Sequence, residues 1–159
     1  MLYDVCMNEF LVQNSDIIVR LVVAMCLGML IGAERVLVHK EAGMKTHALV
    51  AMGSAVFVLI SEAFVEKYMA LPGLNPGIIP AQIIVGIGFL GAGLIMLRGS
   101  HLSGLTTAGG LWVTAGIGMA AGFGLFSLAF ISTVLILMIF VLINILERPI
   151  RRISSDIEK

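Results

Sequence analysis

The sequence predicts an all-α fold: a polytopic membrane bundle of about five transmembrane helices. Three observations lead there. Of 159 residues, 59% are hydrophobic and 13% are charged, with a mean hydropathy of +1.07. A soluble domain carries about 25% charged residues, and so small a chain has too little interior to hide the apolar excess. Apolar runs long enough to cross a bilayer recur at 17–33, 47–64, 78–97, 105–121 and 123–145, separated by short polar connections. Finally, the 18 glycines fall mostly inside those runs, where small residues let helix backbones approach.

Residues 1–16 form a short acidic lead with Asp4, Glu9 and Asp16 and no Lys or Arg. Leu2, Val5, Phe10 and Leu11 give it an amphipathic cast. A cleavable signal needs a basic start, so the first apolar run is expected to be retained. In span one Arg20 lies near the start, where its stem can reach the headgroups, and Gly28 and Gly32 make a flat stripe further on. The connection ERVLVHKEAGMKT follows at 34–46. Span two, 47–64, is interrupted late by Glu62, and Pro72, Gly73, Pro76 and Gly77 break the chain before span three. Pro80 sits in the first turn of span three, where a missing N–H costs least, and Gln82 is that span's one strongly polar side chain. A polar break, Arg98 to Ser103, serves as a tight turn into span four. Span four is near the lower length limit for crossing, and a re-entrant or tilted helix is the alternative. Span five is the most uniformly apolar, and the basic tail at 147–159 is placed to touch anionic lipid. Residues 17–146 thus read as one transmembrane domain between two polar segments.

Charge sets the orientation. Arg35, Lys40 and Lys45 in the first connection, Arg98 in the third, and Arg148, Arg151, Arg152 and Lys159 in the tail share one side of a five-span model. The opposite side has Lys67, with Arg20 at the boundary. The positive-inside rule puts the N-terminus outside and the C-terminus in the cytoplasm.

The string GIGFLGAG at Gly86 to Gly93 contains G-x-G-x-x-G. A dinucleotide loop needs a strand before it and an acid about twenty residues on, and neither is present. Gly86, Gly88, Gly91 and Gly93 read instead as contact points of span three. Gly110, Thr114, Gly118 and Gly122 recur every four residues and line one face of span four. Spans three and four are expected to form an antiparallel hairpin with close backbones. Either packing alone or carbonyls and hydroxyls set around an ion fits that density. Small-residue faces on spans one, three and four suit a homo-oligomer as well as contacts within one chain.

Glu34, Arg35, Lys45, His47, Arg98 and His101 fall at one membrane interface, with Thr106 and Thr107 beside them. Ordinary interfacial charge is one reading. The other is a polar cluster in which Glu34 pairs with Arg35, Lys45 or Arg98, since ionisable groups at the membrane are expensive to keep there. Glu62 and Gln82 are placed to meet near the opposite side. Trp112 suits an interface or a gap between helices. Cys6 and Cys26 form no CxxC and point to no metal or redox site. No acid–base set, metal motif or nucleophile elbow stands out, so neither an enzyme nor a cofactor is expected, and the aromatic-poor tail argues against nucleic acid.

Four blocks carry a resemblance: GMLIGAER at 28–35, AGMKTHALVAMGS at 42–54, AQIIVGIGFLGAGLIM at 81–96 and GLTTAGGLWVTAGIGMAAGFG at 104–124. In them the chain resembles the MgtC/SapB family of bacterial inner-membrane proteins. The resemblance implies a multi-pass inner-membrane domain of about five spans and a role tied to magnesium limitation and virulence. It implies a non-enzymatic regulator or interaction protein, with the proton-translocating ATP synthase as one membrane partner; transport of Mg²⁺ or another small ion is the alternative. The family's Gly-x-Glu-Arg falls on Gly32, Glu34 and Arg35, and its A-G-L-R-T-H becomes Ala42, Gly43, Met44, Lys45, Thr46 and His47. Its G-L-T-T-A and tryptophan fall on Gly104, Leu105, Thr106, Thr107, Ala108 and Trp112. Lysine at 45 keeps the charge but not the planar fork of arginine. Asn75, Pro76, Gly77 and Ile78 replace an Asp-Pro-x-Arg-like sequence, which removes an acid–arginine pair. Longer relatives carry a soluble α/β domain after the membrane domain, and this chain reads as a short form without it.

Overall fold

A computed structural model of the chain describes residues 12–68, 75, 77–98 and 101–157, with backbone alone at 98, 101 and 147–157. Among them are five long helices: α1 Ser15–Leu37, α2 Met44–Tyr68, α3 Ile78–Leu94, α4 Leu105–Gly122 and α5 Phe126–Ile157. The all-α expectation holds, and the fold is that of a membrane helical bundle. Helices α1, α2 and the Phe126–Leu146 part of α5 are each long and apolar enough to cross a membrane. Helix α3 is apolar but shorter, at 17 residues. Most of the acidic lead, the breakers Pro72, Gly73 and Pro76, and the side chains of Arg98, His101 and the basic tail lie outside this description. The helix α5 backbone runs on through the basic segment to Ile157.

Two features depart from the sequence reading. Span three ends at Leu94, and the polar break is a small antiparallel ribbon, β1 Met96–Arg98 and β2 His101–Ser103. Met96 pairs with Ser103, Leu97 with Leu102 and Arg98 with His101. Gly104 closes the ribbon at φ +87°, with its α-carbon turned so that a side chain would run into the Leu94 carbonyl. Only glycine enters α4 from that conformation without strain.

Helix ends are set by local chemistry. His39 takes the left-handed conformation after α1, at φ 55°. The Lys40 N–H then donates to the Arg35 carbonyl and the His39 N–H to the Val36 carbonyl, a Schellman cap. The same device ends α4. Gly124 is left-handed, the Leu125 N–H reaches the Ala120 carbonyl, and the Gly124 N–H reaches that of Ala121.

Helix α4 is the centre of the bundle and packs against the other four. Its buried face runs through Thr107, Gly110, Leu111, Thr114, Gly118 and Gly122. Burial against protein is what lets so many glycines and threonines sit in this helix. The core gathers Ala24, Leu27 and Ile31 of α1, Ala51 and Ala55 of α2, Ile117, Ala120 and Ala121 of α4, and Ala129 and Phe140 of α5. A second cluster joins Val58, Ile83, Ile87 and Ala115, and ties α3 to α2 and α4.

Glycine placement explains the approach of the backbones. A Cβ on Gly28 would stand 2.5 Å from the His47 carbonyl oxygen, and one on Gly32 would stand 2.5 Å from Met44 Cα. Gly118 lies directly on the Ala51 backbone, and a Cβ on Gly122 would stand 2.9 Å from Ala55 Cα. Gly110 faces Phe140, and Gly91 makes an ordinary contact with Ala108. The contacts expected at Gly86, Gly88 and Gly93 are not made. Among the described residues nothing lies within 4 Å of the Cβ position at any of the three. The inner side of α3 is its Ile83–Ile87–Gly91 face, and those glycines point elsewhere.

Candidate functional site

The bundle has a polar cluster at each end of α1. Glu34 and Arg35 occupy its last turn, where the cap after Leu37 holds the backbone. Roughly 21 Å away along the helix, at 1.5 Å per residue, Arg20 occupies the second turn.

At the first cluster Arg35 is 1% exposed and Glu34 9%. The guanidinium pairs with Glu34 Oε2 through Nε and Nη2. The other carboxylate oxygen, Oε1, accepts a 3.1 Å hydrogen bond from Asn144 Nδ2 of α5. Four residues earlier on that helix, the Phe140 ring lies under the guanidinium, 3.4 Å from Arg35 Cζ to the ring centroid. A buried guanidinium keeps its charge when a carboxylate and an aromatic face replace its water.

His47, at the start of α2, is fully buried. Its Nδ1 lies 3.0 Å from the Gly43 carbonyl. A carbonyl only accepts, so Nδ1 donates here, with Nε2 at the far edge of the ring. That atom has no hydrogen-bond partner among the described residues. It faces the empty Cβ position of Gly110, 3.7 Å away, and Phe140 lies 3.2 Å from the same position. Arg35, Phe140, Gly110 and His47 thus form one continuous stack drawn from α1, α5, α4 and α2. Thr107 Oγ1 donates to Glu41 Oε2 at 3.3 Å beside it.

Of the residues expected at this interface, Glu34, Arg35, His47 and Thr107 are brought into the interior. Lys45 and Thr106 are exposed, and Glu34 pairs with its neighbour Arg35 rather than with Lys45. Asn144 and Phe140 escaped the sequence reading. The available signal was their four-residue spacing, which puts an amide and a ring on one face of an apolar helix.

At the second cluster Arg20 Nη1 donates to Glu62 Oε2 at 2.7 Å and to the Gly122 carbonyl at 2.9 Å. Its Nε lies 2.8 Å from Asp16 Oδ2, one turn back. The expectation that Arg20 reaches toward headgroups is corrected. Its head turns inward to two carboxylates and to a carbonyl that the end of α4 leaves free. Glu62 therefore meets Arg20 and not Gln82. Gln82 is exposed on the wall of a groove of about 830 Å³ between α2 and α3, together with Gly53, Ser54, Phe57 and Gly86. Trp112 is exposed beside a hollow of about 200 Å³ that also touches Ile84 and Ser132. Cys26 is a free, exposed thiol, and Cys6 lies outside the described residues. Among the described residues no three His, Cys, Asp or Glu side chains gather as a metal site.

Comparison with known proteins matches residues 21–149 to the model of the MgtC family. Protein MgtC of Salmonella typhimurium is 46% identical over 144 residues, 89% of this chain and 59% of that protein. The putative magnesium transporter YhiD of Escherichia coli is 40% identical over 129 residues, 80% of this chain and 60% of that one. Protein SapB of Bacillus subtilis is 37% identical over 147 residues, 90% and 62% of the two chains. The chain spans about three fifths of the length of these curated relatives. No solved structure matches it.

Proposed function

The chain belongs to the MgtC family, and from that premise we propose that it is a non-enzymatic regulator or interaction domain of the bacterial inner membrane, working under magnesium limitation or on membrane energetics. In this reading five helices cross the bilayer with the N-terminus outside, as the Lys and Arg bias favours. One observation carries the choice of a regulator over a conduit. Glu34 is paired with Arg35, and Glu62 shares Arg20 with Asp16, so both glutamates already face an arginine of the same chain. Mg²⁺ is held through carboxylates and retained waters, and a carboxylate already paired with a guanidinium offers it less. The buried core of alanines and larger apolar side chains between the clusters supports the same reading. A membrane partner such as the ATP synthase, drawn from the family resemblance, fits a domain whose inner surfaces are committed to one another.

Conduction of Mg²⁺ or another small ion is the second reading, and the name of the E. coli relative favours it. Purified full chain in proteoliposomes separates the two. The regulator reading expects Mg²⁺ uptake equal to that of protein-free vesicles under an imposed gradient. Gradient-driven uptake that scales with protein density overturns it.

A further inference from the structure

Small-residue faces on three helices suit contacts within one chain or between copies, and the structure divides them. Those of α1 and α4 are used inside the bundle, at Gly28, Gly32, Gly118 and Gly122. That of α3 is not. Gly86 and Gly93 have open space beside them, and they lie on one helical face with Gln82 and Phe89. Phe89 is 80% exposed. Gln82 is exposed too, and no hydrogen bond ties it to another described residue.

Depth makes Gln82 decisive. Helix α3 has 17 residues, roughly 25 Å, against a hydrocarbon core of about 30 Å. Its second turn therefore lies within hydrocarbon, where a bare carboxamide is costly. Lipid tails have nothing to offer that amide. Another Gln82 does, because a carboxamide both donates and accepts and so complements itself.

We infer that α3 is a homodimer interface, with two copies related by a two-fold axis along the membrane normal and Gln82 paired with Gln82 across it. Copies of one chain insert with one orientation, so a residue near the axis meets its equivalent at its own depth. Gly86 and Gly93 let the two α3 backbones approach, and each Phe89 enters the other copy's α2–α3 groove, whose volume is about 830 Å³. The inference rests on the chain spanning the membrane and not on what the domain regulates.

Disulfide trapping in native membranes tests it, using the full chain with Cys6→Ser and Cys26→Ser. Gly86→Cys should give a crosslinked dimer on oxidation, and Gly88→Cys, on the side of α3 away from the axis, should not. Both positions have room for the new side chain. Adding Gln82→Leu to the Gly86→Cys chain should weaken dimer association about three- to thirty-fold, the range of one interhelical hydrogen bond in a membrane, and lower the crosslinked fraction accordingly. Membrane-inserted protein that crosslinks equally at both positions, stays monomeric at Gly86→Cys, couples to a foreign protein instead, or ignores Gln82→Leu overturns the inference. These outcomes are independent of Mg²⁺ uptake, so the dimer and the regulator reading fail separately.

Discussion

Arg20 of α1 holds Glu62 of α2 at 2.7 Å, and the same nitrogen holds the carbonyl of Gly122 at 2.9 Å. One guanidinium thus joins three helices at the end of the bundle opposite Glu34 and Arg35. Replacing Arg20 with Leu is expected to cost about 1–2 kcal/mol, modest because the cluster is partly solvated. Glu62→Gln should cost less, since Asp16 and the Gly122 carbonyl remain to Arg20. Thermal unfolding in detergent gives both values, and equal losses would speak against a shared guanidinium.

At the other end the pair is buried, and the penalty for breaking it on one side is larger. Glu34→Gln leaves the Arg35 charge without a counterion and is expected to cost about 3 kcal/mol. Phe140→Leu removes the aromatic face under the guanidinium and should cost about 2 kcal/mol. Folded yield from membranes should fall in that order. A Glu34→Gln protein as stable as the parent would show that water reaches the pair.

The two sets of glycines should respond in opposite directions. Gly118→Ala drives a methyl group into the Ala51 backbone and should cost about 1–3 kcal/mol or more. Gly88→Ala meets open space and should be neutral or gain up to about 1 kcal/mol from helix propensity. Melting temperatures of the two variants, measured side by side, check the assignment of which glycines pack.

The cap after α1 offers a stabilising change. His39 pays for a left-handed backbone that glycine adopts freely, at φ 55°. His39→Gly is expected to stabilise the chain by about 0.5–1 kcal/mol, part of the gain being lost to the flexibility of glycine in the unfolded state. A destabilised variant would indicate that the imidazole itself makes a contact.

Much of the fold was legible because helix length and apolarity are written locally. All five apolar runs became helices, and the four-residue rhythm from Gly110 to Gly122 marked the buried face of α4. Direction was harder to read than position. Arg20 looks the same in sequence whether it reaches out to headgroups or in to Glu62, because the choice depends on where α2 and α4 end. Gly88 and Gly118 are both glycines in apolar helices, and only the docking of α3 through Ile83, Ile87 and Gly91 separates the open one from the packed one. The ribbon at 96–103 was hidden by its brevity, with three residues per strand and no periodicity to find. In the polar cluster Glu34 and Arg35 stood out as charges, whereas Asn144 was missed because one amide in a long apolar span draws little notice.

A regulator that conducts no ion requires the bundle between its two arginine–carboxylate clusters to be closed to water. Thr114 tests it most directly. It lies on α4 between the clusters, is fully buried, and donates to the Gly110 carbonyl at 2.8 Å. In a Cys6→Ser, Cys26→Ser chain, Thr114→Cys should resist a membrane-impermeant thiol reagent applied from either side of sealed vesicles and react once the protein is unfolded. Labelling of the folded protein from one or both sides would reveal a water path through the bundle and overturn the regulator reading.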